Sequence, residues 1–238
     1  MRLQLLGDAR DAFKWDLLHW ICTESNRRFD RLVVVPMLNP DETDSTEGRK
    51  HHKLFDCREF VRPFLESLKE EPRSLERIKG LGSVMSAARP FEVSIFARSR
   101  CLVTGEERAA YWDGLDPDGL ANAVVFFDPD TGFETKSQAG RKWLLHAEMQ
   151  PILSSLPSTS VAVVYQHRPQ RQSWDVKLEQ LTCSLRYART AAAVHEGDLA
   201  FIGLADSAVA GVRMTKAFAS YAAAHKVVSC NVLRSGDA

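Results

Sequence analysis

Two short polar segments of this 238-residue chain carry side chains suited to acid–base and anion-binding chemistry. The first, Asp128-Pro129-Asp130, directly follows the apolar run 123–127 and brings two carboxylates close together in sequence. A carboxylate in such a place accepts a hydrogen bond from a substrate amine or ligates a divalent cation. Pro129 and Gly132 are residue types that favour a tight turn. We therefore predict that Asp128 and Asp130 are catalytic residues.

The second segment follows the apolar run 160–165 and offers an amide, an imidazole and two guanidinium groups. An unperturbed imidazole has a pKa of about 6.5, so His167 is suited to act as an acid or a base near neutral pH. Arg168 and Arg171 are able to clamp a phosphate or a carboxylate. The pattern predicts His167 as a third catalytic residue, and Gln166, Arg168 and Arg171 as substrate-binding residues.

A third polar group lies near the start of the chain, on a predicted helix. Asp8 is the predicted N-cap of this helix, with Asp11 as its acidic partner three residues on. Capping alone accounts for both carboxylates. Lys14 stands between Phe13 and Trp15, so its stem lies beside apolar surface, and its amine is a further candidate for a site.

Apolar patterning predicts the elements that position these groups. Continuous apolar runs, typical of strands buried on both faces of a parallel sheet, occupy residues 31–37, 123–127 and 160–165. Shorter or alternating runs predict further strands at residues 91–96 and 226–233. Apolar residues at helical spacing predict helices at residues 8–24, 57–68, 75–85, 138–156, 174–185 and 214–222.

Strands that alternate with amphipathic helices predict an α/β fold. We expect a mostly parallel, doubly wound (Rossmann-like) sheet in a single domain that covers residues 1–238. The runs 191–195 and 199–204, joined by Glu196-Gly197-Asp198, predict an antiparallel hairpin at the edge of the sheet. Ligands of such sheets bind beyond the carboxyl ends of the strands, which selects the segments after residues 37, 127 and 165.

The segment after the first strand is polar over residues 39–53, acidic in its first part and basic in its second. This composition predicts a mobile surface loop. Asn39 stands at its start, next to the expected ligand-binding edge of the sheet.

The composition excludes several classes of protein. With 45% apolar residues and 31 basic against 31 acidic side chains, the chain is neither disordered nor held to nucleic acid by bulk charge. The balanced net charge does not exclude a local basic patch that binds an anionic group. The expected partner is therefore a nucleic acid or a small anionic substrate. No apolar run is long enough to span a membrane. The five cysteines are scattered without a Cys-x-x-Cys pair, which predicts reduced thiols in a cytoplasmic protein and no zinc site.

Three stretches resemble the class I S-adenosylmethionine-dependent methyltransferases, most closely the adenine-N6 methyltransferases that act on large-subunit ribosomal RNA. Residues 7–18 are similar to that family's N-terminal helix, which carries an acidic residue and a lysine before the first strand. Residues 124–130 stand where the family has an apolar strand ending in Asp-Pro-Pro-Tyr. Residues 163–168 stand where it has a following strand with a Trp-Tyr-Pro ending and a nearby arginine.

The resemblance implies a bound S-adenosylmethionine, with Lys14, Asp11 and Asn39 as cofactor-binding residues. It also implies that Asp128 accepts a hydrogen bond from a target amine, which attacks the cofactor methyl group in line while the protein positions both reactants. The chain departs from the family pattern, because residues 35–41 lack the glycine-rich cofactor loop. Thr131 replaces the aromatic residue that stacks on a flipped base.

The sequence is compatible with two other functions. The carboxylates of Asp128, Asp130 and Glu134 are the ligand types of a metal-dependent nuclease or phosphodiesterase. Alternatively, the missing glycine-rich loop fits a binding module without catalytic activity.

Overall fold

A computed structural model of the chain describes residues 1–23, 29–40, 57–84, 90–96, 106–168, 172–226 and 228–236. The α-helices are α1 (Ala9–Thr23), α2 (Val61–Lys69), α3 (Glu106–Trp112), α4 (His146–Ser155), α5 (Trp174–Ser184) and α6 (Ala208–Ala224). The strands are β1 (Arg31–Pro36), β2 (Glu92–Ile95), β3 (Ala123–Asp128), β4 (Gly132–Phe133), β5 (Trp143–Leu144), β6 (Val161–His167), β7 (Thr190–Glu196), β8 (Leu199–Ala205) and β9 (Ser229–Arg234). Short 3-10 helices lie at Leu3–Leu5, Leu75–Ser83 and Pro117–Leu120. Arg171 and most of the predicted loop at residues 39–53 lie outside the described residues.

The described strands form a seven-stranded mixed sheet with the order β2-β1-β3-β6-β8-β7-β9, beside a separate β4–β5 pair. The first four strands are parallel to one another. β8 runs antiparallel to both of its neighbours, and β9 runs antiparallel to β7. The prediction of a mostly parallel, doubly wound Rossmann-like sheet with an antiparallel edge hairpin is therefore wrong, although the α/β class is correct.

The physical reason is the position of the β7–β8 hairpin. Its strands lie inside the sheet, with β8 hydrogen-bonded on one side to β6 and on the other to β7. All seven residues of β8 are buried, as is typical of an internal strand. The edge is formed by β9, whose side chains are mostly exposed. Local patterning identifies a hairpin, but it does not specify which strand the hairpin pairs with.

The predicted helices 138–156 and 75–85 differ most from the structure. Residues 138–145 contain turns and the strand β5, and α4 begins only at His146. The carboxylate of Glu148 accepts the Leu145 N–H at 3.1 Å and that of Glu134 accepts the His146 N–H at 2.7 Å, which caps the helix there. The predicted helix 75–85 is the 3-10 segment Leu75–Ser83, in which Gly82 lies too close to the Phe91 carbonyl oxygen to carry a side chain.

The core has one apolar layer on each face of the sheet. Along β3, Val124 and Phe126 pack into the layer that includes α1, α2 and α6, while Val125 and Phe127 pack into the layer that includes α4 and α5. This alternation follows from the opposite directions of successive strand side chains. It confirms that β3 is buried on both faces. Within the described residues, every helix is too short or too polar to cross a membrane.

We predict that Phe201→Ala destabilises the fold by about 3–5 kcal/mol, measured as the free energy of unfolding in urea. Phe201 is fully buried on β8, and its ring centroid lies 4.9 Å from that of Phe13 on α1 and 5.8 Å from that of Tyr165 on β6. The control is Val209→Ala, which removes a 61% exposed side chain and should change stability by less than about 0.5 kcal/mol. Equal effects of the two variants would contradict this packing.

Candidate functional site

A polar cleft of about 610 Å³ lies where the start of α1 meets the carboxyl ends of β3 and β6 and the turn of the β7–β8 hairpin. This volume is within the range of pockets that bind small molecules. The charged side chains that line it carry both signs, namely Arg2, Arg10, Lys14, Lys142 and Arg168 against Asp8, Asp11, Asp128, Asp130 and Asp198. The cleft therefore suits a ligand that itself carries groups of both signs.

Lys14 occupies the centre of the charge network. Its Nζ lies 2.7 Å from Oδ1 of Asp11 and 2.9 Å from Oδ2 of Asp128, and all three side chains are nearly fully buried. It also lies 5.1 Å from the ring centroid of Tyr165. Burial lowers the pKa of Lys14, but the carboxylates of Asp11 and Asp128 outweigh burial and hold the pKa above its ordinary value. Lys14 is thus a permanent cation that joins α1 to the end of β3.

Two backbone features hold Asp11 and Asp8 in place. Oδ2 of Asp11 accepts the Gly7 N–H at 2.7 Å, and Gly7 has a φ of +84° and packs against the Leu65 carbonyl oxygen, where a side chain would not fit. Oδ1 of Asp8 accepts the N–H groups of Arg10 and Asp11 at 2.8 and 3.1 Å, as predicted for an N-cap. Burial and the neighbouring charge of Asp11 raise the pKa of Asp8 to about 6.

Asp128 and Asp130 have different surroundings. Asp128 is 1% exposed and is engaged by Lys14, whereas the side chain of Asp130 is 13% exposed. Oδ2 of Asp130 lies 3.4 Å from Nη2 of Arg2, and Oδ1 lies 3.8 Å from the Met1 amino nitrogen. Asp130 is therefore the more accessible carboxylate of this pair.

His167 lies at the end of β6 and faces Tyr165 on the same strand. The Tyr165 hydroxyl oxygen is 2.8 Å from Nε2 of His167, and the two ring planes are nearly perpendicular. Burial and the charge of Arg10 lower the pKa of His167 to about 4, so its imidazole is neutral at pH 7. The next residue, Arg168, also lines the cleft. Its backbone N–H donates to the Asp198 carbonyl oxygen at 2.8 Å.

Gln166 is a predicted substrate-binding residue that the structure does not place among the cleft-lining residues. Its Oε1 accepts the Phe133 N–H at 2.9 Å, and its Nε2 donates to the His167 and Thr131 carbonyl oxygens. Gly132, with a φ of +125°, leaves the space that the amide fills, because a Cβ atom there would lie 2.5 Å from it. Gln166 thus holds the turn after β3 in position.

Asn39 is also absent from the lining. Its N–H donates to the Met1 carbonyl oxygen at 2.9 Å, and its buried Oδ1 has no hydrogen-bond partner among the described residues. Of the three predicted cofactor-binding residues, the structure therefore brings Lys14 and Asp11 together at the cleft and leaves Asn39 outside it.

The predicted metal-binding carboxylates do not converge. Glu134 caps α4 through the His146 N–H and is not among the residues that line the cleft with Asp128 and Asp130. In the described part of the chain, no group of three or more His, Cys, Asp or Glu side chains is arranged to hold a metal ion.

The cleft residues that sequence reasoning missed include Arg2, Arg10, Lys142, Tyr165 and Asp198. The apolar pattern assigns Tyr165 to the strand interior, and its position directly before Gln166-His167-Arg168 is the signal that could have identified it. Asp198 lies in the hairpin turn, and only the pairing of β8 with β6 brings it to the cleft. Neither a scan of protein-family models nor a search of curated proteins finds a match to this chain.

We predict that Lys14→Met destabilises the protein by about 3–5 kcal/mol at pH 7, because it leaves Asp11 and Asp128 buried without their counter-charge. The loss should shrink as the pH falls, since protonation removes the uncompensated charges. Urea unfolding from pH 4 to 8 measures both effects. Lys79→Met is the control, because Lys79 pairs with Glu76 at an exposed site. This variant should lower the free energy of unfolding by less than about 1 kcal/mol. A pH-independent loss would contradict this role of Lys14.

We predict that Asp8→Asn stabilises the protein above about pH 6 and leaves stability unchanged below about pH 4. The folded protein keeps the Asp8 proton up to a pKa of about 6, whereas the unfolded chain releases it at about pH 4, so wild-type stability falls between these values. Asparagine retains the capping oxygen without the charge. The control, Asp116→Asn, replaces an exposed capping carboxylate and should show no such pH dependence in urea unfolding.

Proposed function

We propose that the cleft binds S-adenosylmethionine and that the protein transfers the methyl group to an amine of a small substrate. One observation supports this proposal above all. The three stretches that resemble methyltransferases, residues 7–18, 124–130 and 163–168, are far apart in sequence, yet all of them contribute side chains to the same cleft. Lys14 connects the first two stretches directly.

The residues of the cleft fit the charges of this cofactor, which carries a carboxylate, an ammonium and a sulfonium group. Asp8 is suited to the cationic groups of the cofactor, and Arg168 and Arg10 are suited to its carboxylate. When bound, the cofactor supplies an electrophilic methyl group. The contribution of the chain is to bind and orient the two reactants and to exclude water.

The surroundings of the two aspartates change the role expected for each. The carboxylate of Asp128 is already paired with the Lys14 ammonium, so we assign Asp128 the role of positioning that lysine. Asp130 is more accessible, and we assign it the hydrogen bond from the substrate amine. The cleft volume of about 610 Å³ is that of a small-molecule pocket, which favours a small substrate over an extended polymer.

The two alternatives have less support. A metal-dependent phosphodiesterase requires Glu134 beside Asp128 and Asp130, and Glu134 instead caps α4. A binding module without activity uses the same cleft, and it is distinguished by ligand binding without turnover.

We predict that isothermal titration calorimetry detects binding of S-adenosylmethionine and S-adenosylhomocysteine to the full chain. Arg168→Met should weaken binding about tenfold or more, because a hydrogen bond to a charged group contributes about 1.5–3 kcal/mol. Lys216→Met, on the exposed face of α6, is the control and should bind as the wild type does. Absence of binding by both ligands, or an equal effect of the two variants, would overturn the proposal.

A further inference from the structure

Tyr165 and His167 form a hydrogen-bonded pair in the cleft wall whose role none of the functions above explains. Both residues line the cleft, and Tyr165 itself is only 6% exposed. The hydroxyl of Tyr165 contacts Nε2 of His167, and the second ring nitrogen, Nδ1, has no hydrogen-bond partner in the described part of the chain. Among the described residues, the imidazole therefore has one nitrogen engaged by Tyr165 and one nitrogen without a partner.

The direction of the hydrogen bond decides which nitrogen carries the proton. Burial raises the pKa of Tyr165 well above its ordinary value, so its hydroxyl keeps its proton. Within the described residues, Nε2 of His167 is the acceptor within reach of this proton. If Nε2 donated instead, the buried hydroxyl proton would lose that acceptor, and an unmade hydrogen bond in such a place is costly. The hydroxyl therefore donates to Nε2, and the imidazole proton lies on Nδ1.

The surroundings of His167 keep its imidazole neutral. Arg10 and Lys14, both on α1, oppose a positive charge on the imidazole, and burial does so more strongly. Asp130 after β3 and Asp198 in the hairpin turn act in the opposite direction. The net result is an imidazole that is neutral at pH 7, so that one of its two nitrogens carries the proton and the other is available to accept the Tyr165 hydroxyl.

We infer that Tyr165 is a positioning residue that fixes neutral His167 as the Nδ1–H tautomer, so that His167 presents a hydrogen-bond donor to the cleft. A ligand must then offer an oxygen or nitrogen acceptor at this position. The sequence left both an acid and a base role open for His167, and this tautomer favours the donor role. This inference deepens the proposed function, but its central statement concerns the protein without ligand.

The test is nuclear magnetic resonance of protein labelled with 15N-histidine, at pH 7 and without ligand, because protonated and unprotonated ring nitrogens resonate in separate regions. The wild type should show Nδ1 of His167 protonated and Nε2 unprotonated, and His167→Asn identifies these signals by their loss. Tyr165→Phe should remove the bias and give a mixture of tautomers. Tyr111→Phe is the matched control, because the Tyr111 hydroxyl donates to the Pro36 carbonyl oxygen and lies outside the cleft lining.

Two outcomes overturn the inference: protonation of Nε2 in the wild type, or an unchanged tautomer in Tyr165→Phe with an intact fold. The fold of each variant is checked by its backbone amide spectrum. Failure of S-adenosylmethionine to bind would remove the proposed function and would leave the tautomer result standing, so the two failures are distinguishable.

Discussion

The buried ammonium of Lys14, placed between the carboxylates of Asp11 and Asp128, is the interaction on which the cleft depends. It fixes the start of α1 over the end of β3, although Lys14 and Asp128 are 114 positions apart in the sequence. Moving three charges out of water is costly, and apolar side chains of similar size often stabilise a fold as well or better. The network therefore explains the geometry of the cleft better than it explains the stability of the fold.

The mixed sheet contributes a wall that a parallel sheet would lack. Because β8 pairs antiparallel with β6, His167 lies opposite Leu199, and the hairpin turn with Asp198 reaches the same edge as Arg168. The cleft is thus closed on one side by a two-residue turn. The correction to the predicted sheet therefore also explains why sequence reasoning missed Asp198, which reaches the cleft only through this pairing.

Some of the site could be predicted because it is encoded locally. The apolar run of β3 stops at Asp128-Pro129-Asp130, and the apolar stripe of α1 begins after a capping Asp8, so both elements and their polar ends are visible in the sequence. Gln166 and Glu134 could not be assigned in this way. Each is a polar residue near a strand end, and only the folded chain shows that their partners are the backbone N–H groups of Phe133 and His146.

The distribution of the cleft over the chain also has a consequence for the order of folding. The β7–β8 hairpin closes over two residues, whereas β1 and β3 pair as parallel neighbours across the long segment 37–122. Contacts between distant segments require more loop-closure entropy than local ones and form more slowly. The hairpin wall is therefore expected early and the Lys14–Asp128 link late. On this view the cleft is assembled late in folding, because its lining residues extend from Met1 to Asp198.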